Sequence, residues 1–312
     1  MLCNPLSGRV EGRLEAVRKA ATAIPGGILR EAASRLQMVS ALDGFTEQGV
    51  DLLVVIGGDG TVHAVLSHLL GTPSQQELPA LTIIPGGTTN MTATDLGIRG
   101  GPLAALARLR TQLARPVARA PFHSRHVLRV EHAGLLLHGM FLGAGMIASG
   151  VRFFLEHVRG TGITGEKASA LVMARYLVRL LWPADGGVSE AVSATLRLDQ
   201  EKPRDDSYLL VLATTLQRLL LGTRPYWGTE QAPVHATAIG SSARRRLRNL
   251  PAVIRGKGKV LRAEDGYISR NVTGLTLQMD GDLALDGQLY RAASAQGPVR
   301  VSAAGPVRFL SI

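Results

Sequence analysis

Short apolar runs alternate with helical patterns along residues 1–120. Residues 51–56 and 80–84 are largely apolar runs of strand length, whereas residues 13–21, 31–39, 62–70 and 102–113 carry apolar side chains at helical spacing. Strands that are apolar on both faces are typical of a parallel sheet covered by helices. The pattern therefore predicts an α/β domain over residues 1–120.

Strand patterns dominate from residue 121 onward. Residues 127–131 and 135–140 flank Ala133-Gly134 as a predicted hairpin. A long apolar segment at 167–182 predicts a helix with Lys167, Arg175 and Arg179 near one face. Further strands are predicted at residues 191–198, 208–214, 234–239, 275–279, 283–285 and 299–303. We thus expect residues 121–312 to form a mostly β, sandwich-like domain with a helical insertion, whose last segment can return to the first domain.

Two predicted strands end in glycine turns that also carry polar side chains. Residues 57–61 read Gly-Gly-Asp-Gly-Thr, and residues 85–90 read Pro-Gly-Gly-Thr-Thr-Asn. The carboxyl ends of parallel strands meet at the edge where open α/β sheets bind ligands. Both turns are therefore expected at one ligand site, with residues 4–8, Asn-Pro-Leu-Ser-Gly, as a third candidate. The alternative, glycines that serve packing alone, is favoured only for an isolated glycine pair.

The turn at 57–61 suits a phosphate group that is bound together with a metal ion. Gly57, Gly58 and Gly60 permit positive φ and a close backbone approach, and Thr61 can cap the following helix and present its hydroxyl. Amides at a helix start favour anions. Because the Asp59 carboxylate would repel phosphate, a divalent cation is expected between them. The turn predicts a nucleotide with magnesium.

The order of the three turns resembles the diacylglycerol kinase catalytic domain, a family that includes bacterial diacylglycerol kinase-like enzymes, sphingosine kinases and ceramide kinases. The resemblance covers residues 1–120, and Leu285-Asp286-Gly287 is similar to an Asp-Gly-Glu near the C-terminus of family members. It implies an ATP-dependent lipid kinase that uses ATP and Mg²⁺. The γ-phosphate would pass to a hydroxyl of diacylglycerol, or of a ceramide or sphingoid lipid.

The resemblance also implies roles for individual residues. Asp59 would order magnesium and phosphate or act on the acceptor hydroxyl, and Asp286 is similar to the family's proposed general base. Asp286 has a plain alternative role as a β-turn residue before Gly287. The residues that would line the nucleotide are Asn4, Ser7, Gly57, Gly58, Gly60, Thr61, Gly87, Thr88 and Thr89.

Several acids that are usual in the family are absent from this chain. Met91 stands where many members carry Asp, Gln288 replaces the glutamate of Asp-Gly-Glu, and residues 117–119 hold no acid. Asp95, one helical turn beyond Met91, is a candidate replacement. Two alternatives stay open. A soluble NAD kinase-like enzyme would share the Gly-Gly-Asp-Gly-Thr turn and the two-domain plan, although Asn90-Met91 stands where such enzymes carry an Asn-Asp pair. A catalytically impaired relative that binds lipid or nucleotide is motivated by the missing acids.

The formal net charge of +11 requires either an anionic partner or another explanation. A basic cluster is formed by Arg244, Arg245, Arg246, Arg248, Arg255, Lys257 and Lys259. Nucleic acid is not expected, because aromatic residues are not interleaved with these cations and no nucleic-acid motif accompanies them. An anionic membrane is favoured, since each basic residue near its surface contributes ~1 kcal/mol. A solvated basic face with no partner is the alternative.

Composition bears on the compartment. The single cysteine, Cys3, excludes an internal disulfide and suits a reducing cytoplasm. No run of about eighteen apolar residues occurs, and the N-terminus lacks a signal pattern. We expect a cytoplasmic protein that associates peripherally with the inner face of the membrane, where its lipid substrate lies. The oligomeric state is left open.

Overall fold

The structure, a computed structural model, describes residues 1–72, 77–114, 121–157 and 191–312. These residues form two compact units. The first comprises Met1–His126 together with Gly305–Ile312, and the second comprises the described residues from 127 to 304. The helix predicted at 167–182 lies outside the described residues.

The first unit is a parallel sheet with helices, which confirms the predicted α/β class. Its strands lie in the order β2 (Arg30–Glu31), β1 (Leu2–Cys3), β3 (Leu52–Gly57), β4 (Ala80–Pro85) and the end of β15 (Val299–Leu310). Its helices are α1 (Leu14–Thr22), α2 (Arg35–Glu47), α3 (Asp59–Gly71), α4 (Met91–Asp95) and α5 (Pro102–Leu113). β4 is buried along its whole length, as its uninterrupted apolar run indicates.

The helix predicted at 31–39 begins later than expected, so that part of the prediction was wrong. The Ser34 hydroxyl accepts the Gln37 amide at 3.3 Å, while the Gln37 side chain accepts the Ser34 amide at 3.2 Å. This capping box fixes the start of α2 at Arg35. Residues 30 and 31 pair instead with β1 as a short parallel strand.

The second unit is mostly antiparallel β-structure, which confirms the predicted β-rich class. Its strands are β5 (Phe122–His132) from residue 127 onward, β6 (Leu135–Gly139), β7 (Phe141–Gly145), β8 (Val192–Leu198), β9 (Arg204–Thr214), β10 (Val234–Gly240), β11 (Tyr267–Val272), β12 (Gly274–Met279), β13 (Gly281–Leu285), β14 (Gln288–Ala292) and the first part of β15. Its helices are α6 (Met146–His157) and α7 (Arg246–Ile254). β9 pairs with β7, β8 and β10, so it is central to the unit.

The predicted hairpin is confirmed by the pairing of β5 with β6. The register joins Leu128 to Gly139 and His132 to Leu135. Ala133 and Gly134 both have positive φ, 50° and 77°, as a two-residue hairpin turn requires. The inward-facing residues of these and the neighbouring strands form one apolar core, which includes Leu128, Val130, Leu196, Ala213, Val234, Leu277 and Val301.

The helices in the described ranges are all too short or too polar to span a membrane.

Candidate nucleotide site and the two acidic residues

The three glycine turns lie side by side at the carboxyl ends of β1, β3 and β4. The Asn4 amide donates to the Ile56 carbonyl at 2.9 Å, which joins the first turn to the end of β3. The Arg9 amide donates to Gly86 at 2.8 Å, and the Gly86 amide donates to Gly57 at 2.9 Å. Each turn is therefore bonded to another through the backbone, and the three form one surface of the first unit.

Glycine is required in these turns for close packing rather than for positive φ. None of Gly57, Gly58 and Gly60 has a positive φ, so that expectation was wrong. A Cβ on Gly87 would lie 2.5 Å from the Cα of Gly58, and a Cβ on Gly57 would lie 2.6 Å from the Thr61 side chain. The glycines let the turn after β3 and the turn after β4 touch backbone to backbone.

Helix α3 begins in the second turn, with Gly58 as its N-cap residue. Thr61 lies inside the helix and does not cap it, contrary to the prediction. Its hydroxyl instead accepts the Asn4 side-chain amide at 2.9 Å, which ties the first turn to α3. The first amides of α3, those of Asp59 and Gly60, have no carbonyl one turn earlier to bond to. They are suited to an anion at this helix start.

Asp59 anchors the start of α4. Its side chain is buried, with 7% of the residue exposed. Oδ2 accepts the Thr89 hydroxyl at 2.8 Å and the Met91 amide at 3.0 Å, and Oδ1 accepts the Thr92 amide at 3.0 Å. The carboxylate thus caps a helix that begins about thirty residues further along the chain. The sequence motif did not reveal this role, because the motif gives no sign of which backbone amides the carboxylate meets.

Asn90 closes the third turn and is absent from the predicted site residues. Its side chain accepts the Gly87 amide and donates to the Gly87 carbonyl, both at 2.7 Å. Its own backbone is left-handed, with φ 50°. Asn tolerates this conformation better than most residues. The signal available in the sequence was its position as the last residue of the Pro-Gly-Gly-Thr-Thr-Asn turn.

Ser7 and Thr88 complete the surface. The Ser7 carbonyl accepts the amides of Val10 and Glu11, at 2.7 and 2.9 Å, and so begins the short 3₁₀-helix at Glu11–Arg13. The Thr88 hydroxyl lies 3.5 Å from where a Cβ on Gly8 would stand, so the first and third turns are in contact range. The structure therefore brings together all nine predicted nucleotide residues and Asp59 within the first unit.

Asp286 belongs to the second unit and occupies the two-residue loop between β13 and β14. It has φ 47° and is followed by Gly287 with φ 81°, the conformation of a tight hairpin turn. Its Oδ2 accepts the Met140 amide at 2.9 Å and its Oδ1 accepts the Phe141 amide at 3.0 Å. The backbone of Asp286 therefore has the β-turn conformation that the sequence offered as the alternative to a role as general base. The residue is buried, with 3% of its surface exposed. Its carboxylate links this turn to the start of β7.

The positions that depart from the family pattern have structural roles of their own. Met91 contributes its amide to Asp59, and Gln288 pairs with Leu285 across the hairpin. Asp95 ends α4 and lies 3.7 Å from Arg125, with 1% of the Asp95 side chain and 28% of the Arg125 side chain exposed. Its carboxylate is thus held in a partly buried ion pair.

A protein-built metal site is not evident in the part of the chain that the structure describes. No group of three or more His, Cys, Asp or Glu side chains is placed to hold an ion there. Asp59, the predicted magnesium ligand, already accepts three hydrogen bonds. A carboxylate offers about four lone-pair positions, so Asp59 has about one position left with which to bind a cation.

Comparison with known proteins agrees with this geometry. Residues 1–120 match the family model of the diacylglycerol kinase catalytic domain. Over 89 residues the chain is 37% identical to "Probable lipid kinase YegS-like" of Stenotrophomonas maltophilia, a match that covers 28% of this chain and 26% of that protein. The matched segment thus spans about a quarter of the curated relative.

Solved structures extend the likeness to the fold of the whole chain. A crystal structure of a diacylglycerol kinase from Bacillus anthracis aligns with a TM-score of 0.64 and 17% identity, covering 100% of this chain and 95% of that one. Another solved structure from the same organism aligns with a TM-score of 0.68 and 16% identity, covering 100% and 96%. At such low identity these structures establish a shared fold. The family-model match over residues 1–120 is to the same family that the three turns resemble.

Proposed function

We propose that this protein is an ATP-dependent lipid kinase that transfers the γ-phosphate of ATP to a hydroxyl of a membrane lipid. The acceptor is diacylglycerol or a ceramide or sphingoid lipid. The observation that carries the proposal is the single surface formed by three hydrogen-bonded glycine turns beside the start of α3. Phosphoryl transfer depends chiefly on positioning and on offsetting phosphate charge, which backbone amides and hydroxyls at such a surface supply.

In this proposal the first unit holds the nucleotide. The amides at the start of α3 and the hydroxyl of Thr88 face phosphate, while Asn4 and Ser7 support the first turn. Thr89, whose hydroxyl donates to Asp59, supports the third turn. Asp59 acts as a positioning residue, because its oxygens are occupied by Thr89 and the start of α4. The described side chains do not form a magnesium site, so any Mg²⁺ is held mainly by nucleotide phosphates and water.

The reaction also needs a group that takes the acceptor's proton. The lipid oxygen forms a bond to the γ-phosphorus, the bond from that phosphorus to the bridging oxygen of ADP breaks, and the hydroxyl proton leaves to a base. We propose that Asp286 is the base that accepts this proton. Positioned bases typically contribute about 10²–10⁴ in rate.

The decisive experiment follows labelled γ-phosphate from Mg-ATP into detergent-dispersed diacylglycerol, monoacylglycerol, ceramide and sphingosine, with NAD as a soluble acceptor. A labelled lipid that disappears in Asp59→Ala but persists in Asp51→Ala identifies a lipid kinase and its acceptor. Asp51 is the matched control because it is exposed and lies just before β3. Label in NAD alone would support the NAD kinase-like alternative. ATP binding without transfer to any acceptor would support the impaired relative.

A further inference from the structure

We propose that α7 and the residues around its ends form a surface that docks the protein onto an anionic lipid bilayer. We call this surface the α7 face and define it by two groups. Its apolar members are Leu221, Leu247, Pro251, Ile254 and Val260, and its basic members are Arg244, Arg245, Arg248, Arg255, Lys257 and Lys259. The inference deepens the proposed function and rests on it, since a lipid acceptor must be met at a bilayer.

Helix α7 has two apolar sides, although a surface helix needs only one for packing. Its inner side buries Asn249 and Val253, and Val253 joins a core cluster with Ile239 and Tyr267. A helix has 3.6 residues per turn, so Leu247, Pro251 and Ile254 fall together on the outer side. Leu247 is 48% exposed and Ile254 is 39% exposed. The outer apolar stripe is therefore not explained by the core.

Two further exposed apolar side chains belong to segments that contact the C-terminal end of α7. Val260, in the 3₁₀-helix Gly258–Val260 that contacts α7, is 56% exposed. Leu221 is 66% exposed at the tip of a loop, with φ 57°. The loop is fastened to the helix end, because the Arg224 amide donates to the Ile254 carbonyl at 2.8 Å.

Cations border the apolar stripe. On the helix, Arg248 and Arg255 are seven residues apart, so they project along the flank of the stripe. The other four basic members stand at the two ends of the helix, and all six are exposed. Residues 241–262 contain no Asp or Glu. Within the ranges that the structure describes, none of the six forms an ion pair with a carboxylate.

An anionic bilayer matches both parts of the α7 face. Phosphate headgroups balance the cations, and the acyl boundary accepts the exposed apolar side chains, as at other amphipathic interfacial helices. Each basic residue near such a surface favours the bound state by about fivefold. Nucleic acid would satisfy the cations alone and would leave the apolar stripe in water.

The test is co-sedimentation of the full chain with vesicles of phosphatidylcholine that contain or lack phosphatidylglycerol. The triple variant Arg244→Gln, Arg248→Gln and Arg255→Gln should bind the anionic vesicles at least tenfold more weakly, given about fivefold per residue. The matched control is Lys19→Gln, Arg30→Gln and Arg35→Gln, three exposed cations of the first unit that give the same net charge. The control should keep nearly all of its binding.

A second pair of variants tests the apolar stripe. Leu247→Ser with Ile254→Ser should lower vesicle binding severalfold and make the remainder more sensitive to salt. Its control is Leu36→Ser in α2, where the side chain is 82% exposed, and this variant should bind normally. Circular dichroism of each variant shows whether the helix is intact.

Three results would overturn the docking proposal. The first is an equal loss of vesicle binding in both triple variants, and the second is binding that does not depend on the phosphatidylglycerol content. The third is displacement of the protein from the vesicles by single-stranded RNA. Because sedimentation needs no turnover, it separates docking from the proposed kinase activity. The α7 triple variant could show normal turnover on detergent-dispersed lipid and weak turnover on vesicles. That result would support both the docking surface and the kinase activity. Vesicle binding with no turnover on any lipid would keep the docking surface and reject the kinase.

Discussion

At the scale of single residues, both predicted acidic residues hold parts of the backbone in place. Asp59 accepts from Thr89, Met91 and Thr92, and Asp286 accepts from Met140 and Phe141. Hydrogen bonds to a charged acceptor are stronger than neutral ones, and a buried donor left without a partner costs free energy. Replacing either acid therefore changes stability as well as chemistry, and the two effects must be measured separately.

Asp59→Asn should lower the free energy of unfolding by about 1–3 kcal/mol. The amide group of Asn would face the hydrogen-bond donors of the third turn and α4, so at least one of them loses its acceptor. Urea unfolding measures the loss, and Asp51→Asn, an exposed control, should stay within about 0.5 kcal/mol of the natural chain. ATP affinity should fall as well, since the third turn loses the hydrogen bond from the Thr89 hydroxyl to Asp59. An unchanged unfolding free energy with lost turnover would show instead that Asp59 acts directly on metal or substrate.

Asp286→Asn should cost about 1–3 kcal/mol of stability, because one of the two amides it binds would lose its acceptor. If the side chain also serves as the base, turnover should fall by about 10²–10⁴ while ATP binding persists. Glu264→Gln, an exposed carboxylate beside Arg262, is the control for both measurements. Reduced stability with normal turnover would leave Asp286 as a turn residue only.

The sequence predicted which residues meet at the candidate nucleotide site, but not the contacts among them. Gly-Gly-Asp-Gly-Thr and Pro-Gly-Gly-Thr-Thr-Asn could be placed at strand ends, because apolar runs and glycines are local signals. The bond from Met140 to Asp286 joins residues 146 positions apart, and no local pattern encodes such a partner. For the same reason the positive φ expected at Gly57, Gly58 and Gly60 was wrong. Gly58 is constrained by Gly87 of the facing turn, and Gly57 is constrained by the Thr61 side chain.

At the scale of elements, the close contact between the turns after β3 and β4 sets the geometry of the candidate nucleotide surface. Gly87→Ala should force these turns apart, since the new Cβ would lie 2.5 Å from the Cα of Gly58. We expect a loss of about 1–3 kcal/mol in stability and weaker ATP binding. Gly44→Ala in α2 is the control, because its Cβ would meet nothing within 4 Å and should stabilise the helix by about 0.5–1 kcal/mol.

Element boundaries were predicted where the local signals agreed. The helix expected at 102–113 is α5, which begins with Pro102 at its first turn, a position that suits proline. The start of α2 was misplaced because the capping box at Ser34 was not recognised. α7 was not predicted at all, since Pro251 inside it argues against a helix. Packing of Val253 into the core outweighs those local preferences.

At the scale of the whole molecule, the first unit is completed by the end of the chain. β15 runs parallel to β4 with Phe309 opposite Leu81, and the Thr82 hydroxyl donates to the Leu310 carbonyl at 2.9 Å. Val307, Phe309 and Leu310 are buried. Burying each of these apolar side chains contributes about 1.5–3 kcal/mol to the free energy of unfolding. The three together are therefore comparable to the net stability of a small domain, about 5–15 kcal/mol.

A change in β15 should therefore weaken nucleotide binding by the N-terminal turns. Phe309→Ala should cost about 3–5 kcal/mol by leaving a cavity beside β4, and ATP affinity should fall because β4 carries the third turn. Arg308→Ala is the neighbouring control. Its exposed guanidinium lies 5.5 Å from the Phe122 ring centroid, so its loss should cost no more than about 1 kcal/mol. Thermal unfolding and equilibrium dialysis with ATP measure both variants. A chain without residues 305–312 that still folded and bound ATP normally would show that β4 does not depend on its C-terminal neighbour.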